Sequence, residues 1–138
     1  MRKSKTTVMV ALLAATVLLL GACSSSSSKG SSGGKPTLPG KVNDKGTKTA
    51  SGSIEVEIDD FYFNPTFINA KAGSTLKLEL SNEGKATHTF TSAALGVDKT
   101  LAPDTKATVT ITVPTSGFAQ FHCNFHVSQG MQGAVVST

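Results

Sequence analysis

Three stretches of strict two-residue alternation confine most of this chain to β-structure. Ser53-Ile54-Glu55-Val56-Glu57-Ile58-Asp59 sets Ile54, Val56 and Ile58 on one face and acids on the other. Residues 75–80 repeat the pattern with Leu76, Leu78 and Leu80, and residues 105–113 with Val109, Ile111 and Val113. Successive Cβ atoms of a strand point to opposite sides, so this period means one face in a core and one in water. Turn signals fall between the stretches at Asn64-Pro65, Ala72-Gly73, Asn82-Glu83-Gly84, Ala102-Pro103-Asp104 and Ser116-Gly117. Further strands are expected over 66–71, 88–93, 117–123 and 131–137, and no segment carries a helical period. Many short, evenly spaced strands over residues 53–138 predict an all-β domain, a sandwich or barrel. So small a domain has a limited core, and a bound metal would add to its stability.

The amino-terminal part is of a different kind. Met1-Arg2-Lys3-Ser4-Lys5 is basic, residues 8–20 are uncharged and mostly apolar, and Gly21-Ala22-Cys23 follows. Residues 1–22 therefore read as an export signal, the apolar run falling short of the ~20 residues of a comfortable membrane span. Leu20-Gly21-Ala22-Cys23 resembles the bacterial lipobox, which implies that Cys23 is lipidated and becomes the first residue. The mature protein would then sit on the outer face of the cytoplasmic membrane, or on an outer membrane where the host has one. A plain signal cleaved after a small residue is the alternative, and it would leave an exposed free thiol outside the cell. In residues 24–52, fourteen of twenty-nine are Ser or Gly and none is aromatic. Residues 23–52 are thus expected to form a lipidated cysteine followed by a disordered tether, ~30 Å from end to end as a flexible coil.

The formal net charge of +4 comes from the ends. Three positives lie in the signal and five lysines against one acid in residues 24–52, whereas from Ser53 onward five lysines face eight acids. A nucleic-acid partner needs basic residues clustered on the domain, and residues 53–138 lack them. With Cys23 lipidated, Cys123 has no disulfide partner in the chain. A lone thiol in an oxidising compartment survives when it is buried or bound.

Cys123 has company. Phe121-His122-Cys123-Asn124-Phe125-His126-Val127-Ser128-Gln129-Gly130-Met131 gathers Cys123, two of the three histidines and one of the three methionines. A thiolate at a strand end, an imidazole in the following turn and a thioether at the next strand can meet at one point. His88, after the Asn82–Gly84 turn, supplies a second imidazole. Two imidazoles, a thiolate and a weak axial Met are the ligand set of a mononuclear blue-copper site. Alternation points Cys123 and Phe121 one way and Gln120 and His122 the other, so His122 is read as a surface residue and His88, Cys123, His126 and Met131 as the metal ligands. Zinc also accepts Cys and His but has no use for a thioether. Gln129 and Gln132 are nearby alternatives for the axial position.

With these residues in place the chain resembles a cupredoxin of the plastocyanin, amicyanin and pseudoazurin kind. Cys-x2-His-x4-Met is the spacing of the plastocyanin-like members. Leu80-Ser81-Asn82-Glu83-Gly84-Lys85-Ala86-Thr87-His88 resembles their strand, Asn-containing turn and first His ligand. Phe61-Tyr62-Phe63-Asn64-Pro65 and Ala72-Gly73 resemble their amino-terminal half. The resemblance covers about residues 53–138. It implies a Greek-key β-sandwich with one type 1 copper, His126 near the surface as the electron exit, and Met131 as the long axial ligand. It places His122 where those proteins carry an exposed aromatic. With no position open to a substrate, the expectation is an electron carrier rather than an enzyme, passing single electrons between redox proteins at the membrane surface as a monomer. The acidic domain favours partners with a basic docking patch. Copper sequestration or delivery uses the same ligands and is the rival expectation; a metal-free adhesive sandwich would leave the cluster unexplained. The lipobox generates a direct test: labelled fatty acid is incorporated by the wild type and lost in Cys23→Ala, and equal labelling of the two would refute lipidation.

Overall fold

The computed structural model describes residues 34–138, so the expected signal, Cys23 and the first part of the expected tether lie outside the described residues. Ten strands form two sheets. They are β1 (Thr47–Ala50), β2 (Gly52–Asp59), β3 (Tyr62–Asn64), β4 (Phe67–Ala70), β5 (Thr75–Asn82), β6 (His88–Ser92), β7 (Val97–Leu101), β8 (Lys106–Thr112), β9 (Phe118–His122) and β10 (Gln132–Ser137). One sheet runs β1-β4-β10-β9-β6-β7 and the other β3-β2-β5-β8. Between β9 and β10 sits one 3₁₀ turn, Val127–Gln129, and no α-helix occurs among the described residues.

The alternating stretches are the strands they predict. Val56 and Ile58 of β2, Leu76, Leu78 and Leu80 of β5 and Ile111 of β8 are buried on the inner face of the four-stranded sheet. They meet Ile68, Phe90, Leu101, Phe121 and Val135 of the six-stranded sheet in one cluster. Phe63 links the two sheets, edge-on to Phe90 at 5.7 Å and to Phe121 at 5.1 Å, while Phe90 and Phe121 stack at 4.5 Å. Edge-to-face and offset pairs add to area burial and fix ring orientation. β9 and β10 pair antiparallel with Gln132 opposite His122 and Val136 opposite Phe118. Cys123 and Met131 therefore emerge at the same end of that ladder.

The expected boundary at Ser53 is wrong by nearly twenty residues. The stretch read as tether is ordered structure from residue 34 onward: β1 pairs in parallel with β4, and β2 already begins at Gly52. Leu38 is buried against Phe67, Ala134 and Val136, with Val42 beside it, so this segment covers the outer face of β4 and β10. Gln132 Nε2 donates to the carbonyls of Pro39 (2.7 Å) and Lys41 (2.6 Å), and Asn43 N–H donates to Gly130 O (2.9 Å). Lys45 N–H bonds Thr66 Oγ1 at 2.8 Å, and Lys35 pairs with Asp44. Two apolar side chains and these backbone bonds suffice to order a segment whose composition reads as a linker. The consequence is measurable: Leu38→Ala should lower unfolding free energy by about 2 kcal/mol in urea titration, as for other buried leucines. An unchanged midpoint would show that the segment contributes nothing.

Candidate metal centre

Each ligand candidate is placed by a different part of the fold. His88 opens β6 and Cys123 directly follows β9, both 0% exposed. His126 lies in the turn that precedes the 3₁₀ segment, partly buried, and Met131, 0% exposed, joins that segment to β10. Backbone bonds close the loop on itself. Cys123 N–H donates to Met131 O (3.0 Å), Met131 N–H to His126 O (3.2 Å) and His126 N–H to Cys123 O (3.2 Å). Gly130 adopts φ +98°, a left-handed conformation that turns the chain into β10 at little cost for glycine. The Cys-x2-His-x4-Met spacing is thereby converted into proximity.

The donor atoms converge. His88 Nδ1 and His126 Nδ1 are 3.1 Å apart, and Cys123 Sγ lies 3.4 Å from His126 Nδ1 and 3.8 Å from His88 Nδ1. Donors about 2.0–2.3 Å from one ion stand about 3.1–3.8 Å apart at angles from roughly 100° to 120°, so these residues fit a single metal. Among the described residues, His88, Cys123 and His126 are the group of His, Cys and acidic side chains that gathers in this way. Met131 shares the buried cluster with Cys123. Gln132 is engaged elsewhere: it spans to the Pro39 and Lys41 carbonyls and accepts from Gln120 Nε2, and Gln129 is exposed. A buried thioether as the fourth donor would suit copper rather than zinc.

The surroundings tune the donors. Thr89 N–H points at Cys123 Sγ (3.3 Å), an interaction that favours the thiolate, and Thr89 Oγ1 in turn accepts from Asn124 N–H (2.8 Å). The Phe61 ring packs 4.5 Å from the His126 ring and 6.0 Å from that of His88. Burial pushes the His126 imidazole below its ordinary value, the nearby His88 adds to this and Asp60 opposes it; the net direction favours the neutral imidazole, the form that ligates. His88 Nε2 meets Asp60 Oδ1 at 2.8 Å. The Lys85 amide above all, and then His88, lower the Asp60 carboxyl below its usual range. His122 points away from Cys123, half-buried, with Nε2 3.1 Å from Asn124 Oδ1. Asp60 and Phe61 went unread in the sequence because their link to the site spans more than twenty-five residues and carries no local spacing; the adjacent acids Asp59-Asp60 before an aromatic are the nearest thing to a signal.

A thiolate, two imidazoles and a buried methionine, caged by two packed β-sheets, define the class of mononuclear type 1 copper proteins. The sequence profile of the cupredoxin-like domain matches residues 11–136, and the chain belongs to the cupredoxin family. Over 41 residues it is 54% identical to the copper-resistant cuproprotein CopI of Pseudomonas aeruginosa, a match spanning 30% of this chain and 23% of that protein. Its fold is similar to dithionite-reduced auracyanin of Roseiflexus castenholzii, with TM-score 0.56 at 20% identity, covering 64% of this chain and 98% of that one. It is similar as well to the metal-binding domain, with Cu(I), of the Cu(I)-exporting P-type ATPase CopA of Streptococcus pneumoniae D39 (TM-score 0.56, 13% identity, 67% and 95% covered). At such identities these two likenesses concern the fold alone. Copper-loaded protein should show the intense visible band of a thiolate–Cu(II) bond, and Cys123→Ser should abolish it while leaving the circular dichroism of the sheets unchanged. A band that survives the substitution would defeat the assignment.

Proposed function

We propose that this protein is an extracytoplasmic one-electron carrier that exchanges electrons with redox proteins at the membrane surface. The observation that carries the reading is the pre-assembled, nearly sealed cage. His88, Cys123 and Met131 are 0% exposed, and His126 is the one of the four that reaches partway to the surface. Copper, when bound, supplies a one-electron couple. The protein does the rest: backbone bonds of the loop hold Cys123 and His126, β6 positions His88, and Thr89 N–H stabilises the sulfur charge. The buried faces of Phe121 and Met131 exclude water. A cage that moves little between oxidation states lowers the reorganisation that accompanies each transfer. His126, flanked by exposed Phe125 (59%) and Val127 (37%), offers the short path for electrons in and out. Four protein donors would leave no ligand position open, which favours transfer over substrate chemistry.

The expected acidity of the domain needs restating once residues 34–52 are part of it: nine lysines now face nine acids. Steering therefore rests on distribution. Glu55, Glu57 and Glu83 gather around one shallow hollow that Lys48 of β1 also lines, with Asp59 further along β2; acids outnumber the one lysine, and this is the face a basic docking patch would meet. Lipidation at Cys23 would keep such encounters at the membrane.

The similarity to part of a copper-resistance protein favours a second reading, copper handling at the cell surface. The two readings differ in kinetics. A carrier gives reversible voltammetry with fast exchange and keeps its Cu(I) in the presence of a mild chelator. Sluggish exchange combined with ready loss of Cu(I) to that chelator would overturn electron transfer in favour of handling.

A further inference from the structure

The turn that leads into β6 brings a carboxylate from another strand end onto the first imidazole. Asp60, just beyond β2, sets Oδ1 2.8 Å from His88 Nε2. The same carboxylate accepts the Lys85 amide on Oδ2 (3.0 Å) and the Ala86 amide on Oδ1 (3.2 Å). Those two amides belong to the very turn from which His88 emerges, so carboxylate and imidazole share one rigid frame. With two amides donating to it, the carboxylate is an acceptor, an arrangement that favours the proton on His88 Nε2. Nδ1 is then bare and faces Cys123 Sγ and His126 Nδ1. Gly84 completes the arrangement. A Cβ there would stand 2.5 Å from Asp60 Oδ1, closer than real Cβ atoms come, and a tight 3.1 Å from His88 Nε2. From the other side, Asn43 Nδ2 donates to Phe61 O at 2.8 Å and fixes the residue that follows Asp60.

We propose that Asp60 is a positioning residue of the copper centre, presenting His88 through Nδ1 and holding the reduction potential down by its charge, and that Gly84 is the space this contact requires. The inference rests on the copper reading above. A carboxylate hydrogen-bonded to a ligating imidazole raises the ligand's basicity and fixes its tautomer. Negative charge beside the centre favours Cu(II), the more positive state, over Cu(I). The Asp60 side chain is 28% exposed, so water screens part of this effect.

The test compares Asp60→Asn, Asp60→Glu and Gly84→Ala in the full protein. Asp60→Asn keeps the shape and loses the charge; the Cu(II)-to-Cu(I) affinity ratio should fall about tenfold, a rise of 59 mV in midpoint potential for one electron. Gly84→Ala keeps the charge but displaces it, and should raise the potential in the same direction. Asp60→Glu should lie nearer the wild type than Asp60→Asn does, and the double variant Asp60→Asn with Gly84→Ala should add little to Asp60→Asn alone. Independently of copper, nitrogen NMR of the metal-free wild type should show His88 protonated at Nε2. A proton on Nδ1, an Asp60→Asn ratio within twofold of wild type, or equal shifts in Asp60→Asn and Asp60→Glu would overturn the proposal. Should Asp60→Asn not fold, Gly84→Ala and the tautomer decide. A wild type without the thiolate–copper band would sink the copper reading itself, while the His88 tautomer would still report on Asp60.

Discussion

Three donor atoms that prefer to be hydrated are held within 3.8 Å of one another, on two residues fully out of water, His88 and Cys123, and one partly so, His126. Left alone, such groups would separate, because burying polar atoms without full partners costs free energy. The fold prevents this by covalent brevity and backbone bonding. Cys123, His126 and Met131 belong to one short loop whose own amides and carbonyls tie it shut. His88 enters from β6, whose Thr91 lies opposite His122 of β9. The remaining freedom, rotation of the imidazoles, is restricted by Phe61 against both rings and by Asp60 on His88. The aromatic trio Phe63, Phe90 and Phe121 then anchors β6 and β9 to the opposite sheet. Close packing of this kind resists deformation, which is what a site that must not rearrange requires.

The sheets are unequal in what covers them. The four-stranded sheet follows the simple rule of one wet face, and its outward residues are charged side chains and threonines. β4 and β10 are buried on both sides, because the segment around Leu38 and Val42 lies over them. That cover also touches the ligand loop: Asn43 reaches the Gln129 carbonyl with its side chain and the Gly130 carbonyl with its amide. The loop is thus held from its far side by residues more than eighty positions earlier in the chain.

What the sequence made legible follows from which physical signals are local. Alternation marked β2, β5 and β8 because each has one face in the core and one in water. The ligands were legible because Cys123, His126 and Met131 share one loop, and because alternation alone separates His122 from Cys123. β3 and β7 were not read. β3 is three residues long, and β7, Val97-Asp98-Lys99-Thr100-Leu101, lies at the sheet edge with its middle three residues exposed, so neither carries a period. The stretch before Ser53 was misread because two apolar side chains do not lift its composition out of the linker class; its order comes from Gln132 and Asn43, bonds that link positions far apart. Asp60 shows the same limit at the site itself.

The corrected boundary changes the geometry of attachment. Gly34, Lys35 and Pro36 lie beside Thr115, Phe118 and Ser137, at the end of the β9–β10 ladder where Phe118 opposes Val136. Cys123 and Met131 stand at the other end of that ladder, where His122 opposes Gln132. A five-residue strand separates the two ends by about 17 Å. With Cys23 as the proposed anchor, the residues between it and Gly34 set the reach, and even a fully extended chain of that length spans at most ~40 Å. The domain is then held closer to the membrane than a thirty-residue tether would allow. Such an anchor would also hold it by the pole opposite the candidate copper centre, turning the His126 edge, with Phe125 and Val127 beside it, away from the point of attachment.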